Sequence, residues 1–183
     1  SADFTDGLGA FTRTGRQSAM PRPVYEDLAV VLIEREREEL DVPEVAALND
    51  LALGAAMKRI GAELRRDLGG TEIKTAGLIS LFTFAECRVA LDFARAFRST
   101  LAGQGIQSRI GVDTGPVLVF ELGPGSRDIA GSAVNTASKL AQDCGVFGRI
   151  YVSEAAGRLA GLGAAPPTLS FQSSGVELAA YDV

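Results

Sequence analysis

The 183-residue chain contains no histidine, which limits the chemistry that it can perform. Catalytic triads of the Ser-His-Asp type, Cys-His pairs and histidine metal sites are excluded. The two cysteines, Cys87 and Cys144, lie far apart in the sequence without the spacing of a metal site. We interpret both as ordinary thiols in the core or at the surface. Any reaction must therefore depend on carboxylates, lysines, backbone amides or a bound metal ion.

Composition excludes further classes of protein. Hydrophobic residues make up 46% of the chain, charged residues 22%, and the formal net charge is −5. An acidic balance disfavours binding to nucleic acid or to an anionic membrane, since both require a basic surface. No apolar run approaches the roughly 18 residues of a membrane span, and no secretory leader is visible. We expect a cytoplasmic domain without nucleic-acid or membrane contacts.

The chain length fits a single domain of ordinary size. Residues 1–23 are polar, contain several glycines and prolines, and show no periodicity. This pattern predicts a linker or N-terminal arm, the tail of an upstream module. Residues 24–183 are expected to form the folded domain.

The first half of that domain alternates strand and helix patterns. Residues 28–33 are continuously apolar, which is typical of a buried central strand. Residues 45–64 predict an amphipathic helix whose apolar face carries Val45, Leu48, Ala52, Ala56, Ile60 and Leu64. Residues 71–76 and 79–84 predict a hairpin that turns at Gly77, and a second helix follows with Val89, Phe93, Phe97 and Leu101 in register.

The second half predicts more strands with two helices between them. Residues 107–112 and 117–122 are expected to pair around a turn at 113–115, and residues 123–125 to form a loop. A helix from Ser132 to about Asp143 begins at a plausible serine cap. A strand at 149–152, a short helix at 154–159 and two weak strands around Gly175 complete the domain. This order favours a ferredoxin-like α+β fold, βαββαβ followed by βαβ and a hairpin, with an antiparallel sheet and helices on one face.

Four segments carry a family resemblance: residues 69–77 (GGTEIKTAG), 109–117 (RIGVDTGPV), 127–140 (RDIAGSAVNTASKL) and 148–154 (GRIYVSE). Each is similar to a segment of the class III adenylyl and guanylyl cyclases. In that family the segment corresponding to residues 109–117 reads RIGIHTGPV. Their order and spacing also agree, and the resemblance extends over roughly residues 28–183. The chain is identified as a class III nucleotidyl cyclase homology domain.

The resemblance implies a known chemistry. In this family the ribose 3′ hydroxyl attacks the α-phosphate of a nucleoside triphosphate and releases pyrophosphate. Two divalent ions, magnesium or manganese, activate the nucleophile and hold the triphosphate. The sites lie at a head-to-tail dimer interface, where one protomer supplies two metal-binding aspartates. The other protomer supplies residues that bind the purine and stabilise the transition state.

On the purine side the resemblance implies that several site residues are retained. Lys74 falls on the purine-reading lysine and Asp128 on its acidic partner, a pair that favours adenine over guanine. Asn135 falls on the residue that orients the ribose. Lys139 replaces the family's arginine one helical turn further, which keeps the charge but loses the planar bidentate contact with phosphate. Without a ligand, these positions would be surface residues, a salt bridge or a solvated helix face.

The metal side departs from the family pattern. Leu78 stands where the second metal aspartate is expected, and leucine offers no oxygen to a hard cation. Glu34 falls on the first metal aspartate in a gapless alignment, although it begins a charged run that also fits a solvated turn. Ser174 stands where a phosphate-binding lysine is expected near the last hairpin.

These departures predict a degenerate cyclase domain. As a homodimer it would have little cyclase activity and would serve as a regulatory, dimerising or purine-nucleotide-sensing module. Its expected partner is a second copy of itself (a homodimer) or another cyclase domain (a heterodimer), and ATP is a possible ligand. One alternative is an active adenylyl cyclase, with unusual ligation of magnesium or manganese or as half of a heterodimer. A second alternative is a protein-interaction scaffold whose pocket has collapsed.

Overall fold

The computed structural model describes residues 22–183, so the predicted arm of residues 1–23 lies outside the described residues except for Arg22 and Pro23. In the described part the elements are β1 (Val24–Arg35), α1 (Pro43–Leu68), β2 (Thr71–Ala76), β3 (Ile79–Phe84), α2 (Cys87–Gly103), β4 (Ser108–Gly123), β5 (Ser126–Ala130), α3 (Ser132–Gln142), β6 (Ile150–Ser153), α4 (Glu154–Leu159), β7 (Leu169–Ser173) and β8 (Val176–Asp182). The strands form one sheet in the order β2-β3-β1-β4-β6-β8-β7, and β5 pairs with β4. Every pair is antiparallel except β4 with β6.

Strand β1 occupies the centre of this sheet, as its apolar run predicts. It pairs with β3 on one side and with β4 on the other. Residues 29–33 are all buried, which means that both faces of the strand are covered. Because successive side chains of a strand point to opposite faces, one core forms on each side of the sheet.

The helices divide between the two faces. Helices α1, α2 and α4 contribute to the larger core, where Phe82, Phe84, Phe93 and Phe97 pack with ring centroids 4.7–5.9 Å apart. Helix α3 covers the opposite face with the small side chains of Ala133, Ala137 and Ala141. The α+β class is as predicted. The helices were expected on one face of the sheet, but α3 packs on the face opposite α1, α2 and α4. None of the helices within residues 22–183 has the length and apolar character needed to cross a membrane.

The predicted turn at residues 113–115 is wrong, because β4 is one continuous strand through this point. All twelve residues of β1 pair with β4, from Val24 opposite Val119 to Arg35 opposite Ser108. The Thr114 hydroxyl also donates to the Leu28 carbonyl at 3.3 Å. These cross-strand bonds outweigh a local sequence that is typical of a turn.

The actual turn lies between β4 and β5, within the residues predicted as a loop. Strand β5 follows it and runs back along β4, from Ser126 opposite Gly123 to Ala130 opposite Leu118. This strand was not predicted from the sequence. Helix α3 begins as predicted at Ser132, but Gly131 is its N-cap residue and no side chain caps it.

Helix α1 is longer than predicted and meets the core only with its second half. Its buried residues are Ala56, Met57, Ile60 and Gly61. The predicted core-facing stripe is wrong in the first half of the helix, where Val45 and Leu48 are 50% and 67% exposed.

An ion pair between a buried arginine and a half-exposed aspartate connects the first half of α1 to the sheet. The Arg35 side chain is fully buried at the end of β1, and its Nη2 donates to Asp50 Oδ1 on α1 at 2.8 Å. Its Nε and Nη1 have no hydrogen-bond partner among the described residues. Asp50 is therefore the main counter-charge of a guanidinium that water does not reach.

Replacing Gly111 by alanine should disrupt the contact between β4 and α3. A Cβ atom at Gly111 would lie 1.9 Å from the Ala137 carbonyl oxygen, so helix α3 would have to move. Overpacking of this kind costs about 1–3 kcal/mol of unfolding free energy, measurable by urea denaturation. Gly123→Ala is the matched control on the same strand, since nothing lies within 4 Å of its added Cβ. Equal stability of the two variants would contradict the close approach of α3.

Asp50→Asn should lower the melting temperature, and the size of the effect should depend on pH. The hydrogen bond from Arg35 lowers the pKa of the Asp50 carboxyl below its ordinary value of 3.8. The ion pair therefore contributes stability at pH values above about 4, and this contribution is lost as the pH falls through the folded-state pKa. The difference in melting temperature between Asp50→Asn and the parent should shrink in acid. Asp67→Asn, an exposed position on the same helix that forms no ion pair among the described residues, is the control and should leave the melting temperature at neutral pH close to that of the parent.

Candidate functional site

Lys74 and Asp128, far apart in sequence, form an ion pair. Lys74 lies on β2 and Asp128 on β5, two strands that do not pair with each other. The Lys74 Nζ atom is 3.2 Å from Asp128 Oδ1 and 3.4 Å from Oδ2. Their side chains are 53% and 40% exposed, so both remain accessible to a ligand. Asp128 Oδ1 also accepts a hydrogen bond from the Ile129 amide, which helps to fix the carboxylate.

A cavity of about 270 Å³ is lined by Ile73 and Ile129, the chain neighbours of this pair, but by neither Lys74 nor Asp128. Its apolar lining includes Leu28, Ile73, Val119 and Ile129, two of which are the chain neighbours of Lys74 and Asp128. Binding sites for small molecules combine such an apolar lining with a few polar groups. The ion pair and the cavity thus lie on adjacent residues of β2 and β5.

Asn135 and Lys139 lie one turn apart on helix α3, on the side of the sheet opposite α1 and α2. The Asn135 side chain is exposed and that of Lys139 is partly exposed. Neither makes a side-chain hydrogen bond or ion pair within residues 22–183, so both polar groups are available to a ligand or partner. The structure does not bring them into contact with Lys74 or Asp128 in the single chain.

Glu34 is engaged by a cation from its own chain. Its register partner on β4 is Arg109, whose Nε donates to Glu34 Oε2. The Glu34 side chain is only 12% exposed. Arg109 also donates to the Gly145 carbonyl at 3.3 Å, and its guanidinium lies 4.7 Å from the centre of the Phe147 ring. The carboxylate thus has a fixed positive partner.

Leu78 lies at the tip of the β2–β3 hairpin, where its backbone contacts Arg35. Its carbonyl accepts a hydrogen bond from the Arg35 amide at 3.0 Å, and Glu34 pairs with Ile79. The residue opposite Glu34 on β3 is therefore apolar, and the Glu34 carboxylate is paired with Arg109. These residues do not fit the pair of divalent cations that the family resemblance implies. Within residues 22–183 no group of three or more His, Cys, Asp or Glu side chains is arranged to hold a metal ion.

A larger cavity of about 880 Å³ lies between α3, α4 and the last hairpin. On its wall the Ser153 hydroxyl donates to Asp113 Oδ1 at 2.5 Å. Burial raises the pKa of the Asp113 carboxyl, although hydrogen bonds from Ser153, from the Thr114 backbone and from Thr136 oppose the shift. Ser174 lies at the rim, with φ 52° in the turn that it forms with Gly175. A serine thus occupies the hairpin tip where a phosphate-binding lysine was expected.

Both cysteines are free thiols, in agreement with their interpretation as ordinary thiols. Burial raises the pKa of Cys87 and of Cys144, which keeps both thiols protonated and poorly nucleophilic.

Three charged residues were assigned no role from the sequence, although each forms an ion pair or a short hydrogen bond in the structure: Arg35, Arg109 and Asp113. The pairing of Glu34 with Arg109 follows only from the register of β1 against β4. The burial of Arg35 follows only from the position of α1. The one available signal was the alternation of strand side chains, which separates Glu34 from Arg35 onto opposite faces.

Solved structures with a similar fold include nucleotidyl cyclases. The adenylyl cyclase CyaB from P. aeruginosa superposes with a TM-score of 0.70, at 19% identity over 88% of this chain and 95% of that chain. The adenylate/guanylate cyclase/hydrolase from Silicibacter pomeroyi gives 0.70, at 20% identity over 88% and 98%. The guanylate cyclase domain of RhGC from Catenaria anguillulae, in complex with GTP, gives 0.67, at 17% identity over 88% and 97%. A comparison with curated proteins finds no match.

The fold is therefore that of nucleotidyl cyclase catalytic domains. The family model for the adenylate and guanylate cyclase catalytic domain matches residues 71–173, more than half of the chain. The protein belongs to this family.

Proposed function

We propose that this protein is a degenerate nucleotidyl cyclase domain, which binds a purine nucleotide and has little cyclase activity as a homodimer. Its role would be regulatory or dimerising in cyclic-nucleotide-type signalling. The observation that carries the proposal is the ion pair of Glu34 with Arg109, which occupies one expected metal ligand, together with an accessible Lys74–Asp128 pair.

Lys74 and Asp128 are suited to the polar edge of adenine. An ammonium group has three donors, and a carboxylate accepts several hydrogen bonds, so the ion pair does not exhaust either group. Lys74 can donate to a ring nitrogen while Asp128 accepts from the exocyclic amino group. Guanine presents the opposite pattern at this edge, and for that reason we assign the preference to adenine. The 270 Å³ cavity lined by Leu28, Ile73, Val119 and Ile129 supplies an apolar surface for the ring.

Asn135 and Lys139 are proposed to contact the ribose and the phosphates. They face away from α1 and α2, have no partner within residues 22–183, and lie one turn apart on a rigid helix. A nucleotide that touched both pairs would bridge β2, β5 and α3. In a head-to-tail dimer its triphosphate would point toward Glu34 and Leu78 of the second protomer.

The metal side explains the low activity. Removing one preorganised electrostatic group from an active site costs about 10²–10³ in rate. Leu78 replaces one of the two expected metal-binding carboxylates. The other candidate ligand, Glu34, is already paired with Arg109. In a homodimer both sites carry the same departures. A heterodimer with a domain that keeps its own metal ligands would restore one complete site, and this is the arrangement in which the chain could support catalysis.

A non-hydrolysable ATP analogue should bind the purified protein in calorimetry, and Lys74→Ala should weaken binding about tenfold because a charged hydrogen bond to the base is lost. Lys58→Ala, which removes an exposed lysine on α1, is the control and should leave the affinity unchanged. Cyclic AMP formation with manganese should be negligible. Turnover that depends on Lys74 would show instead that the domain is an active adenylyl cyclase, and absence of any purine binding would favour the scaffold alternative.

Leu78→Asp combined with Arg109→Gln should create a manganese site in the presence of the ATP analogue. The first change adds a carboxylate at the hairpin tip near the end of β1, and the second releases Glu34 from its ion pair with Arg109. Leu78→Asn with Arg109→Gln is the matched control, similar in size but without the new charge. Manganese binding, followed by its paramagnetic resonance signal, should appear in the first protein only, provided that circular dichroism shows both to be folded. Tight manganese binding by the unaltered protein would contradict the proposed loss of the site.

A further inference from the structure

Helix α1 has apolar residues on the side that faces away from the sheet. Its outer stripe consists of Val45, Leu48, Leu51, Ala52 and Ala55, all of them exposed. At about 100° per residue these five positions span about 120° of the helix surface, opposite the buried Met57 and Ile60. Val45, Leu48 and Leu51 are 50%, 67% and 72% exposed. A helix that is apolar on two sides is normally covered on both, and within residues 22–183 nothing covers the outer stripe.

Charges of opposite sign border the two ends of the outer stripe. Glu44 lies at its beginning, after an acidic approach through Glu38, Glu39 and Asp41. Lys58 and Arg59 lie at its end, and both are exposed. The stripe is therefore a short apolar surface with a negative and a positive end.

We propose that the outer stripe binds the outer stripe of a second copy of this chain, with the two α1 helices antiparallel and a two-fold axis at Leu51. In this arrangement residues equally far before and after Leu51 lie side by side. Leu48 meets the small residues Gly54 and Ala55 of the partner helix, and Glu44 meets Lys58 and Arg59. A parallel pairing would instead place Glu44 against Glu44, and like charges at one end disfavour it.

This contact is separate from the dimer that the nucleotide site requires. Helix α1 packs on one face of the sheet and α3, which carries Asn135 and Lys139, on the other. Two chains joined through α1 thus keep both α3 faces free. The inference does not rest on the proposed function, and the protein could form both contacts at once.

The expected association is weak. A stripe of five residues on two helices lies at or below the size of stable interfaces, so we expect dissociation constants in the range of about 10–100 µM. A weak contact of this kind would respond strongly to the local concentration of the domain.

Sedimentation velocity over about 5–500 µM should reveal one association step that depends on the outer stripe. Leu51→Glu should weaken this step about tenfold or more, because it places two carboxylates at the two-fold axis. Leu159→Glu is the matched control, since Leu159 is an isolated leucine that is 68% exposed on α4. If Leu51→Glu sediments like the parent and the control at every concentration, the proposal is wrong.

Charge exchange tests the antiparallel direction. Glu44→Lys alone, or Lys58→Glu with Arg59→Glu alone, should weaken the association through repulsion. The three changes together should restore it, because opposite charges again face each other. Loss of association in Leu51→Glu without this restoration would overturn the antiparallel arrangement.

A cysteine cross-link provides an independent readout. In a Cys144→Ser background, Leu51→Cys should form a disulfide-linked dimer on mild oxidation, since the two residues meet at the axis, whereas Leu159→Cys should not. Equal cross-linking of the two would contradict the axis position. Binding of the ATP analogue should be unchanged in every α1 variant, so failure here is distinguishable from failure of the proposed nucleotide site.

Discussion

The pairing of β1 between β3 and β4 is the constraint on which the structure depends. Residues 29–33 are apolar on both faces of this central strand, so each face must be covered by helices. Large aromatic side chains of β3 and α2 fill one face, and small alanines of α3 allow close approach on the other. Gly111 of β4 permits that approach, because any side chain there would meet the backbone of α3.

The same strand ends in two adjacent charges, and its alternation sends them to opposite faces. Glu34 turns to the α3 side and is neutralised by Arg109 from β4. Arg35 turns to the α1 side and is neutralised by Asp50. Neither charge could be buried without a counter-ion, since an unpaired buried charge is costly. The end of β1 is thus stabilised by two internal ion pairs at the position where the family resemblance implies cation ligands.

Much of this fold could be predicted from the sequence, and the errors have physical causes. The β2–β3 hairpin and helix α4 have the predicted bounds, because their turn and capping residues act locally. The continuous β4 could not be predicted, since its turn-like residues are held straight by hydrogen bonds to a strand about 85 residues earlier. The outward face of Val45 and Leu48 depends likewise on where α1 docks. For the site, motif spacing identified the candidate positions, but the Glu34–Arg109 pair required strand register.

The candidate purine side and the candidate metal side of the site lie on different elements. The metal ligands can therefore be lost while the purine side is kept. Lys74, Asp128 and Asn135 are positioned by β2, β5 and α3, whose packing involves neither the Leu78 nor the Glu34 side chain. An apolar residue at the hairpin tip and an internal cation on Glu34 leave those elements undisturbed. Changes at Leu78 and Glu34 can therefore leave the arrangement of Lys74, Asp128 and Asn135 intact. This separation is the physical basis for the binding role proposed above.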